Sequence, residues 1–158
     1  MKRLELRRHA TRDPSSDALS ASGRALAEDI GRAHADVAYD VVFVSPAARA
    51  AETAAWILRG AHRQLPPAHQ VVPGLAGADA SGGSPDGMAT GVRAMLGELP
   101  DGGRALAISH TPFVERAAFG LTGHEVEPMR PGEGLLITQR DDGTLEVEEL
   151  RLRDPDAG

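Results

Sequence analysis

Short apolar runs alternate along this chain with longer segments in which apolar residues recur every three or four positions. The short runs predict six β-strands, at residues 2–8, 41–44, 70–73, 104–109, 133–140 and 144–152. The run at 41–44 (Val-Val-Phe-Val) is apolar throughout, which is typical of a parallel strand covered on both faces. Between the last two strands, Asp-Asp-Gly at 141–143 favours a hairpin turn.

The longer segments predict four helices: the first starts near Ser20 or Ser22 and extends to about 37, and the others lie at about 45–59, 88–99 and 113–121. Their apolar residues have the spacing that places them on one face of a helix. Ser20 or Ser22 can cap the first helix. Ser45-Pro46 and Thr111-Pro112 each combine a capping side chain with a proline, so they predict the starts of the second and fourth helices.

Strands that alternate with helices predict an α/β fold. We expect a three-layer α/β/α sandwich with a mainly parallel central sheet and a C-terminal antiparallel hairpin. The 158 residues show no repeat and no linker, and they match the size of one domain, 1–158. Loops are predicted at 10–18, 60–70 and 74–87; we expect the glycine-rich third loop to be flexible and the chain to fray after Leu152.

Composition narrows the classes of function. The chain has 17 Lys and Arg residues against 23 Asp and Glu residues, and this net charge of −6 argues against a nucleic-acid-binding surface. It has no cysteine, which excludes disulfides, thiolate metal ligands and cysteine nucleophiles. No apolar run reaches about 18 residues, and no apolar signal region precedes the first strand. We therefore expect a cytoplasmic protein with no membrane partner.

Cationic and imidazole side chains stand where three of the predicted strands end. Arg8 and His9 end the first strand, Arg49 follows the second, and His110 follows the fourth. Because the carboxyl ends of parallel strands meet at one edge of an open α/β sheet, we expect these four side chains to lie together. Arginine binds phosphate oxygens through paired N–H donors, and an imidazole can attack phosphorus. The sequence therefore predicts a phosphatase.

Four motifs in this order resemble those of the histidine phosphatase superfamily, which includes the phosphoglycerate mutases and the SixA-type phosphohistidine phosphatases. They are Arg-His-Ala at 8–10, Leu-Ser-Ala-Ser-Gly-Arg-Ala at 19–25, Ser-Pro-Ala-Ala-Arg-Ala-Ala-Glu-Thr-Ala at 45–54 and Ser-His at 109–110. The resemblance covers nearly the whole chain. The family's first motif ends in glycine, and Ala10 in its place favours the SixA-type branch.

The resemblance implies a role for each of the four side chains. His9 would attack phosphorus in line and become phosphohistidine, which water then hydrolyses. Arg8, Arg49 and His110 would bind the phosphoryl oxygens. An imidazole suits the first step because a useful fraction of it is neutral near physiological pH. The scheme requires no metal and no cofactor.

Two further residues are candidate substrate contacts. The backbone N–H of Thr111 lies at a predicted helix start, where free N–H groups bind anions. Arg12, in the first loop, can reach a remote anionic group of the substrate, although solvation at the surface explains this residue equally well. Arg7 should point to the opposite face of its strand from Arg8, so we expect it to take no part.

The family's general acid has no clear counterpart in this chain. Mutase-like members carry a glutamate shortly after the third strand, whereas residues 74–87 contain none. Asp79 is the better substitute by position, and Asp86 can instead belong to the first turn of the next helix. An alkoxide leaving group gains about 10²–10⁴-fold from a positioned acid, whereas the imidazole of a phosphohistidine needs less help.

These considerations predict a phosphorylated protein as the partner, with phosphohistidine or another good leaving group as the substrate. One alternative is a small-molecule phosphomonoesterase that uses Asp79 as its general acid. Another is a catalytically weak pseudophosphatase that only binds phosphorylated partners. The sequence leaves the oligomeric state open.

Overall fold

The computed structural model describes residues 1–63 and 69–152, which form a six-stranded sheet with helices on both faces. The strands are β1 (Lys2–Arg8), β2 (Val41–Val44), β3 (His69–Val71), β4 (Arg104–Ser109), β5 (Gly134–Gln139) and β6 (Leu145–Leu150). The helices are α1 (Ala21–Ala33), α2 (Ala48–Gly60), α3 (Pro85–Gly97) and α4 (Phe113–Thr122), with a short 3₁₀ helix at Pro73–Ala76. Residues 64–68 of the loop predicted at 60–70, and the frayed tail predicted after Leu152, lie outside the described residues.

The strand order β3-β2-β4-β1-β5-β6 confirms the predicted fold class. The first four strands in this order pair in parallel, whereas β1 with β5 and β5 with β6 pair antiparallel. The strand β1 therefore lies inside the sheet, between β4 and β5. Its register pairs Arg8 with Ser109, which brings the ends of β1 and β4 side by side.

The two faces of the sheet carry separate hydrophobic cores, and β2 contributes to both. Val41 and Phe43 pack in the core beneath α3 and α4, whereas Val42 and Val44 pack in the core beneath α1 and α2. Side chains of a strand alternate between faces, so an uninterrupted apolar run fits a strand covered on both sides. Complete burial of a side chain such as Phe43 contributes roughly 1.5–3 kcal/mol.

The capping role predicted for Ser45-Pro46 is wrong. Helix α2 begins at Ala48, and Ala47 precedes it without a capping side chain. The hydroxyl of Ser45 instead forms a hydrogen bond of 2.6 Å with His110 Nε2. The serine hydroxyl therefore makes a short long-range contact across the sheet edge and only a longer local one, in which it accepts from the N–H of Ala47 at 3.4 Å.

The capping role predicted for Thr111 is also wrong. Helix α4 begins at Phe113, after a cis peptide bond between Thr111 and Pro112, and Pro112 precedes it without a capping side chain. The Thr111 hydroxyl donates a hydrogen bond to Glu115. At α1, by contrast, Ser20 is the cap, since its oxygen accepts from the N–H of Gly23; this helix ends at Ala33 rather than extending to 37.

The loop predicted at 74–87 is shorter than expected, because both of its ends are helical. Pro73–Ala76 forms the 3₁₀ helix, and Ser84 caps α3, so Asp86 lies in the first turn of α3 as one of the two alternatives predicted. Gly83 has a φ of 73°, and a side chain there would meet the ring of Phe113 at 2.4 Å. The glycine therefore allows a close approach between this loop and α4.

Candidate active site

The two strand-end histidines lie beside each other because β1 and β4 are neighbours. The N–H of His9 donates to the carbonyl of Ser109 at 3.0 Å, which continues the β1–β4 pairing by one residue. The rings of His9 and His110 meet edge to face, with 5.1 Å between their centroids. Each of these two residues is only 7% exposed.

Arg49 joins the two histidines. It is the second residue of α2, whose start lies just beyond the end of β2. Its Nε donates to His9 Nε2 at 3.3 Å, and its Nη2 donates to His110 Nδ1 at 3.3 Å. The guanidinium thus faces a lone pair of each imidazole. We call Arg8, His9, Arg49 and His110 the strand-end site.

Hydrogen bonding assigns the tautomer of His9. Its Nδ1 lies 2.7 Å from the carbonyl oxygen of Ala10, and a carbonyl can only accept, so Nδ1 carries the proton. The lone pair is therefore on Nε2, which faces Arg49. Burial lowers the pKa of His9, and the positive charges of Arg49, Arg8 and Arg12 lower it further, although the bond to Ala10 opposes this. His9 is therefore neutral near pH 7, with its lone pair on Nε2.

His110 has the opposite tautomer. Since Arg49 donates to Nδ1, the proton lies on Nε2, which donates to the hydroxyl of Ser45 at 2.6 Å. Burial lowers the pKa of His110 to about 4, with the charge of Arg49 as the next cause. Without a ligand, this ring presents a lone pair to the site. An anion beside it would favour a proton on Nδ1.

Arg8 is only partly satisfied by the protein. Its Nη1 donates to the carbonyl oxygen of Met129 at 2.7 Å, while its buried Nε has no hydrogen-bond partner among the residues that the structure describes. A buried donor without an acceptor costs about 1–3 kcal/mol. Such a donor next to an arginine and two histidines indicates a place for an anionic oxygen.

The two further candidate contacts lie at the rim. Thr111 is exposed, and within the described part of the chain its backbone N–H donates to no backbone acceptor. Arg12 is exposed as well, and its Nη2 donates to the carbonyl oxygen of Ser16 at 3.3 Å. Its charge contributes to the lowered pKa of His9. Both groups stay predictions as substrate contacts.

Thr53 is a buried residue of the site region to which the sequence assigned no role. Its hydroxyl accepts from the N–H of Ala10 at 3.0 Å and donates to the carbonyl of Arg49 at 2.7 Å. It therefore links the residue after His9 to the helix that carries Arg49. The sequence signal that could have identified Thr53 is its place in a matched motif, Ser-Pro-Ala-Ala-Arg-Ala-Ala-Glu-Thr-Ala.

Arg7 lies in a separate buried group, which we call the Glu5 network. The Glu5 carboxylate accepts from Arg7 Nε at 2.6 Å, Arg104 Nη2 at 2.7 Å and the hydroxyl of Tyr39 at 2.9 Å. Glu5 is fully buried and Arg7 is 2% exposed. Arg7 Nη1 also donates to the carbonyl of Gly132 at 2.8 Å. These contacts do not include the strand-end site.

Neither candidate general acid is brought to the strand-end site by a hydrogen bond among the described residues. Asp79 is exposed, and its carboxylate accepts from the N–H and the hydroxyl of Ser81 at 2.9 and 2.5 Å. These bonds lower the pKa of Asp79, so the group is ionised near pH 7. A general acid must carry a proton. Asp86 is exposed in the first turn of α3.

Residues 1–63 and 69–152 contain no group of three or more His, Asp or Glu side chains arranged to hold a metal ion. None of the helices in these ranges has the length and apolar character needed to span a membrane.

Comparisons with known proteins agree with the motifs and the fold. The family model for the histidine phosphatase superfamily (branch 1) matches residues 5–81. The protein histidine phosphatase SixA, solved in complex with tungstate, superposes with a TM-score of 0.73 at 21% identity, over 94% of this chain and 96% of SixA. The resemblance inferred from the sequence is confirmed. The comparison with curated proteins finds no significant sequence match.

Two other solved structures have the same fold. Phosphoglycerate mutase from Bacillus anthracis gives a TM-score of 0.74 at 14% identity, over 93% of this chain and 91% of the mutase. A phosphoserine phosphatase from Entamoeba histolytica gives 0.72 at 14% identity, over 95% and 97%. At these identities the likeness concerns the fold, and it does not separate one substrate class from another.

Proposed function

We propose that this chain, which carries the sequence motifs and the fold of the histidine phosphatase superfamily, is a phosphatase that forms a phosphohistidine intermediate on His9. The family match supports phosphatase activity in general. The observation that carries the intermediate is the tautomer of His9, whose Nε2 lone pair faces the Arg49 guanidinium at 3.3 Å.

The charges around His9 suit a phosphate ester. Such a group carries nearly two negative charges, and its transfer is promoted by cations fixed around the equatorial oxygens. Arg49 presents Nε and Nη2, and Arg8 presents an Nε that is unpaired among the described residues. The Thr111 N–H and Arg12 are further donors in this scheme. Two guanidinium groups supply the positive charge, so the proposed reaction needs no metal ion.

The reaction proceeds in two displacements. In the first, the lone pair of His9 Nε2 forms a bond to phosphorus while the bond to the leaving group breaks, and the leaving group keeps the electron pair and takes a proton from solvent. In the second, water attacks phosphorus, and the N–P electron pair returns to Nε2. Water loses its proton to solvent. Phosphate leaves, and His9 is regenerated in its starting state.

His110 changes its protonation during this cycle. Its Nδ1 accepts from Arg49 in the unligated site, so it cannot donate to a phosphoryl oxygen there. A bound phosphoryl dianion raises the affinity of Nδ1 for a proton, and the protonated ring then donates to the oxygen. Ser45 holds the other nitrogen and fixes the ring in place.

We propose phosphohistidine on a protein, or another substrate with a good leaving group, as the substrate class. Asp79 is held ionised, and this argues against an acid that would assist an alkoxide leaving group. The imidazole of phosphohistidine leaves readily once its other nitrogen is protonated. The fold likeness to SixA, a protein histidine phosphatase solved with the oxyanion tungstate, is consistent with this class.

Hydrolysis of p-nitrophenyl phosphate in EDTA tests the proposal. We expect the native chain to be active, and His9→Ala to lose more than about 1000-fold because the nucleophile is gone. The matched control is His124→Ala, since His124 is exposed and its backbone bonds with Thr122 lie beyond α4. An acid-labile phosphoryl group on the native protein would identify the intermediate. Equal activity of the native chain and His9→Ala would refute the mechanism.

The substrate class requires a separate measurement. We expect a phosphohistidine peptide to give a higher kcat/KM than 3-phosphoglycerate or a sugar phosphate. The reverse order would overturn the substrate class and leave the phosphatase activity intact. Phosphate binding without any turnover would favour the pseudophosphatase alternative.

A further inference from the structure

Asp17 contacts the strand-end site from the loop between β1 and α1. One carboxylate oxygen accepts from Arg49 Nη1 at 2.5 Å, and the other accepts from the N–H of Ala48 at 2.8 Å. Helix α2 has no capping side chain of its own, since Ala47 precedes it. Asp17 therefore completes the start of α2 from 31 residues away along the chain and holds Arg49 at the same time.

Hydrogen bonds fix the conformation of the loop that carries Asp17. The N–H of Asp13 donates to the carbonyl of Ala18 at 2.7 Å, and Arg12 pairs with Leu19 in an isolated β-bridge. The N–H of Leu19 donates to the Glu52 carboxylate of α2 at 3.1 Å. The loop is thus closed on itself and tied to the helix, so that Asp17 has a defined place.

The three contacts of the Arg49 guanidinium use donors on two different edges of the group. Its Nε and Nη2 lie on the same edge and face His9 Nε2 and His110 Nδ1. Its Nη1 points away from that edge, and this nitrogen is the one that Asp17 holds. An anion between the two imidazoles would meet the Nε/Nη2 edge as a two-donor fork. Asp17 would not compete for that fork.

We propose that Asp17 is a positioning residue that acts through Arg49: it fixes the guanidinium so that the Nε/Nη2 edge faces the transferred phosphoryl group. The inference deepens the proposed function and rests on it. A shift of a positioned group by about 1 Å can cost a hundredfold in rate. Arginine has several rotatable bonds, so an anchor on Nη1 removes alternatives in which another edge is presented.

A different role would place Asp17 as an internal competitor of the substrate. In that case its carboxylate would have to leave Arg49 before phosphate binds, and its removal would tighten phosphate binding. The position of Asp17 on Nη1, outside the Nε/Nη2 edge, favours the positioning role. On removal of the Asp17 carboxylate, the competitor role predicts tighter phosphate binding and the positioning role predicts weaker phosphate binding.

The test compares Asp17→Asn with Asp13→Asn in the native chain. The amide introduced by Asp17→Asn would keep an oxygen for the N–H of Ala48, so the variant removes mainly the charged contact with Arg49. Asp13 lies in the same loop, and its carboxylate accepts from the N–H and hydroxyl of Ser15. With p-nitrophenyl phosphate, we expect Asp17→Asn to lower kcat/KM at least about tenfold and to raise the inhibition constant of inorganic phosphate. Asp13→Asn should stay within about twofold.

Coupling to Arg49 separates positioning from a general loss of structure. In an Arg49→Ala background, Asp17→Asn should change kcat/KM by less than about twofold, because the residue through which it acts is absent. Full additivity of the two losses would overturn the proposal. So would tighter phosphate binding in Asp17→Asn, or unchanged kinetics in it.

The outcomes also separate this inference from the proposed function. If the native chain is active and His9→Ala is not, but Asp17→Asn matches the native chain, only the positioning role fails. If His9→Ala retains full activity, the mechanism itself fails. Calorimetric titration with inorganic phosphate then still tests Asp17, and equal affinity of the native chain and Asp17→Asn would refute its role.

Discussion

Arg7 and Arg8 are neighbours in sequence, but only Arg7 binds a carboxylate among the described residues. Arg7 lies in the Glu5 network, where one fully buried carboxylate accepts from two guanidinium groups. Arg8 lies in the strand-end site, where its buried Nε has no partner in the described part of the protein. The carboxylate that contacts this site belongs to Asp17, which is 44% exposed and is bound to Arg49.

The difference separates a structural use of arginine from a binding use. Arg7 is paired with a carboxylate inside the protein, so this arginine can contribute to stability and needs no ligand. Arg8 has no carboxylate partner among the described residues, and its buried Nε is left able to donate to an external anion. Two arginines on one strand can therefore be assigned by counting their partners rather than by their burial.

Glu5→Gln should give the largest effect, and it acts on stability. The substitution leaves Arg7 and Arg104 without a carboxylate in a buried environment, and breaking such a pair costs about 3–5 kcal/mol. Urea denaturation measures the loss, and kcat of the folded fraction should stay near the native value. The control is Glu146→Gln, whose exposed pair with Arg140 should be worth less than about 1 kcal/mol. A similar loss in both variants would contradict the comparison.

Arg8→Ala should affect activity instead. Loss of one oxyanion donor costs about 10²–10³-fold in kcat, which corresponds to about 2.7–4 kcal/mol. The free energy of unfolding should change by less than about 1 kcal/mol, because removing the buried Nε that has no partner among the described residues offsets the loss of the bond from Nη1 to the carbonyl of Met129. The p-nitrophenyl phosphate assay and urea denaturation check the two parts, with the exposed Arg93→Ala as control. A large loss of stability with intact kcat would assign Arg8 to structure.

The two regions should lose their contributions to stability in different ranges of acid pH. The pKa of His110 falls from 6.5 to about 4 on folding, so the unfolded chain binds more protons between these values and stability decreases as the pH falls through them. The free energy of unfolding should fall by about 1–3 kcal/mol. The lower end of this range applies if water that reaches the site screens the charges. The Glu5 carboxyl has a folded pKa below 4.5, so its contribution is present above 4.5 and is lost only at lower pH.

Denaturation of the native chain and of His110→Asn between pH 7 and 4 measures this effect. The variant should have the flatter profile over the range, because asparagine does not titrate. Parallel profiles would show that the titration of His110 does not contribute to the pH dependence of stability.

Asp79→Asn should give the smallest effect. Asp79 belongs to neither region, and its carboxylate, whose pKa the bonds to Ser81 lower further, is ionised near pH 7. We expect kcat to change by less than about threefold, both with p-nitrophenyl phosphate and with an alkyl phosphate. A loss of 10²-fold or more with the alkyl phosphate alone would be the signature of a general acid and would restore the small-molecule alternative.

The strand ends could be predicted from the sequence because their pattern is local. Apolar runs predicted the strands, and parallel strands place their carboxyl ends at one edge of the sheet. The residues that follow these ends, Arg8, His9, Arg49 and His110, were therefore expected to lie together. The same reasoning does not give the strand order. Only the order places β1 next to β4, and so places the two imidazoles within 5.1 Å of each other.

The contacts that were missed are long-range or run against local preference. Ser45 before a proline has the pattern of a helix cap, yet its hydroxyl bonds to His110, 65 residues away. Glu5 and Arg7 alternate with leucines, a pattern typical of a strand with one face in water. Both residues are buried, because each supplies the charge that the other needs.

The buried Nε of Arg8, which has no partner among residues 1–63 and 69–152, has a thermodynamic consequence. Oxyanions that complete the strand-end site bind the native state and not the unfolded chain, so they must raise the melting temperature by mass action. At a concentration of 100 times Kd this linkage adds about 2.7 kcal/mol. His9→Ala keeps Arg8 and Arg49 but lacks the proposed nucleophile, so it should hold candidate substrates without consuming them. The thermal shift of that variant can thus rank phosphorylated compounds by affinity alone.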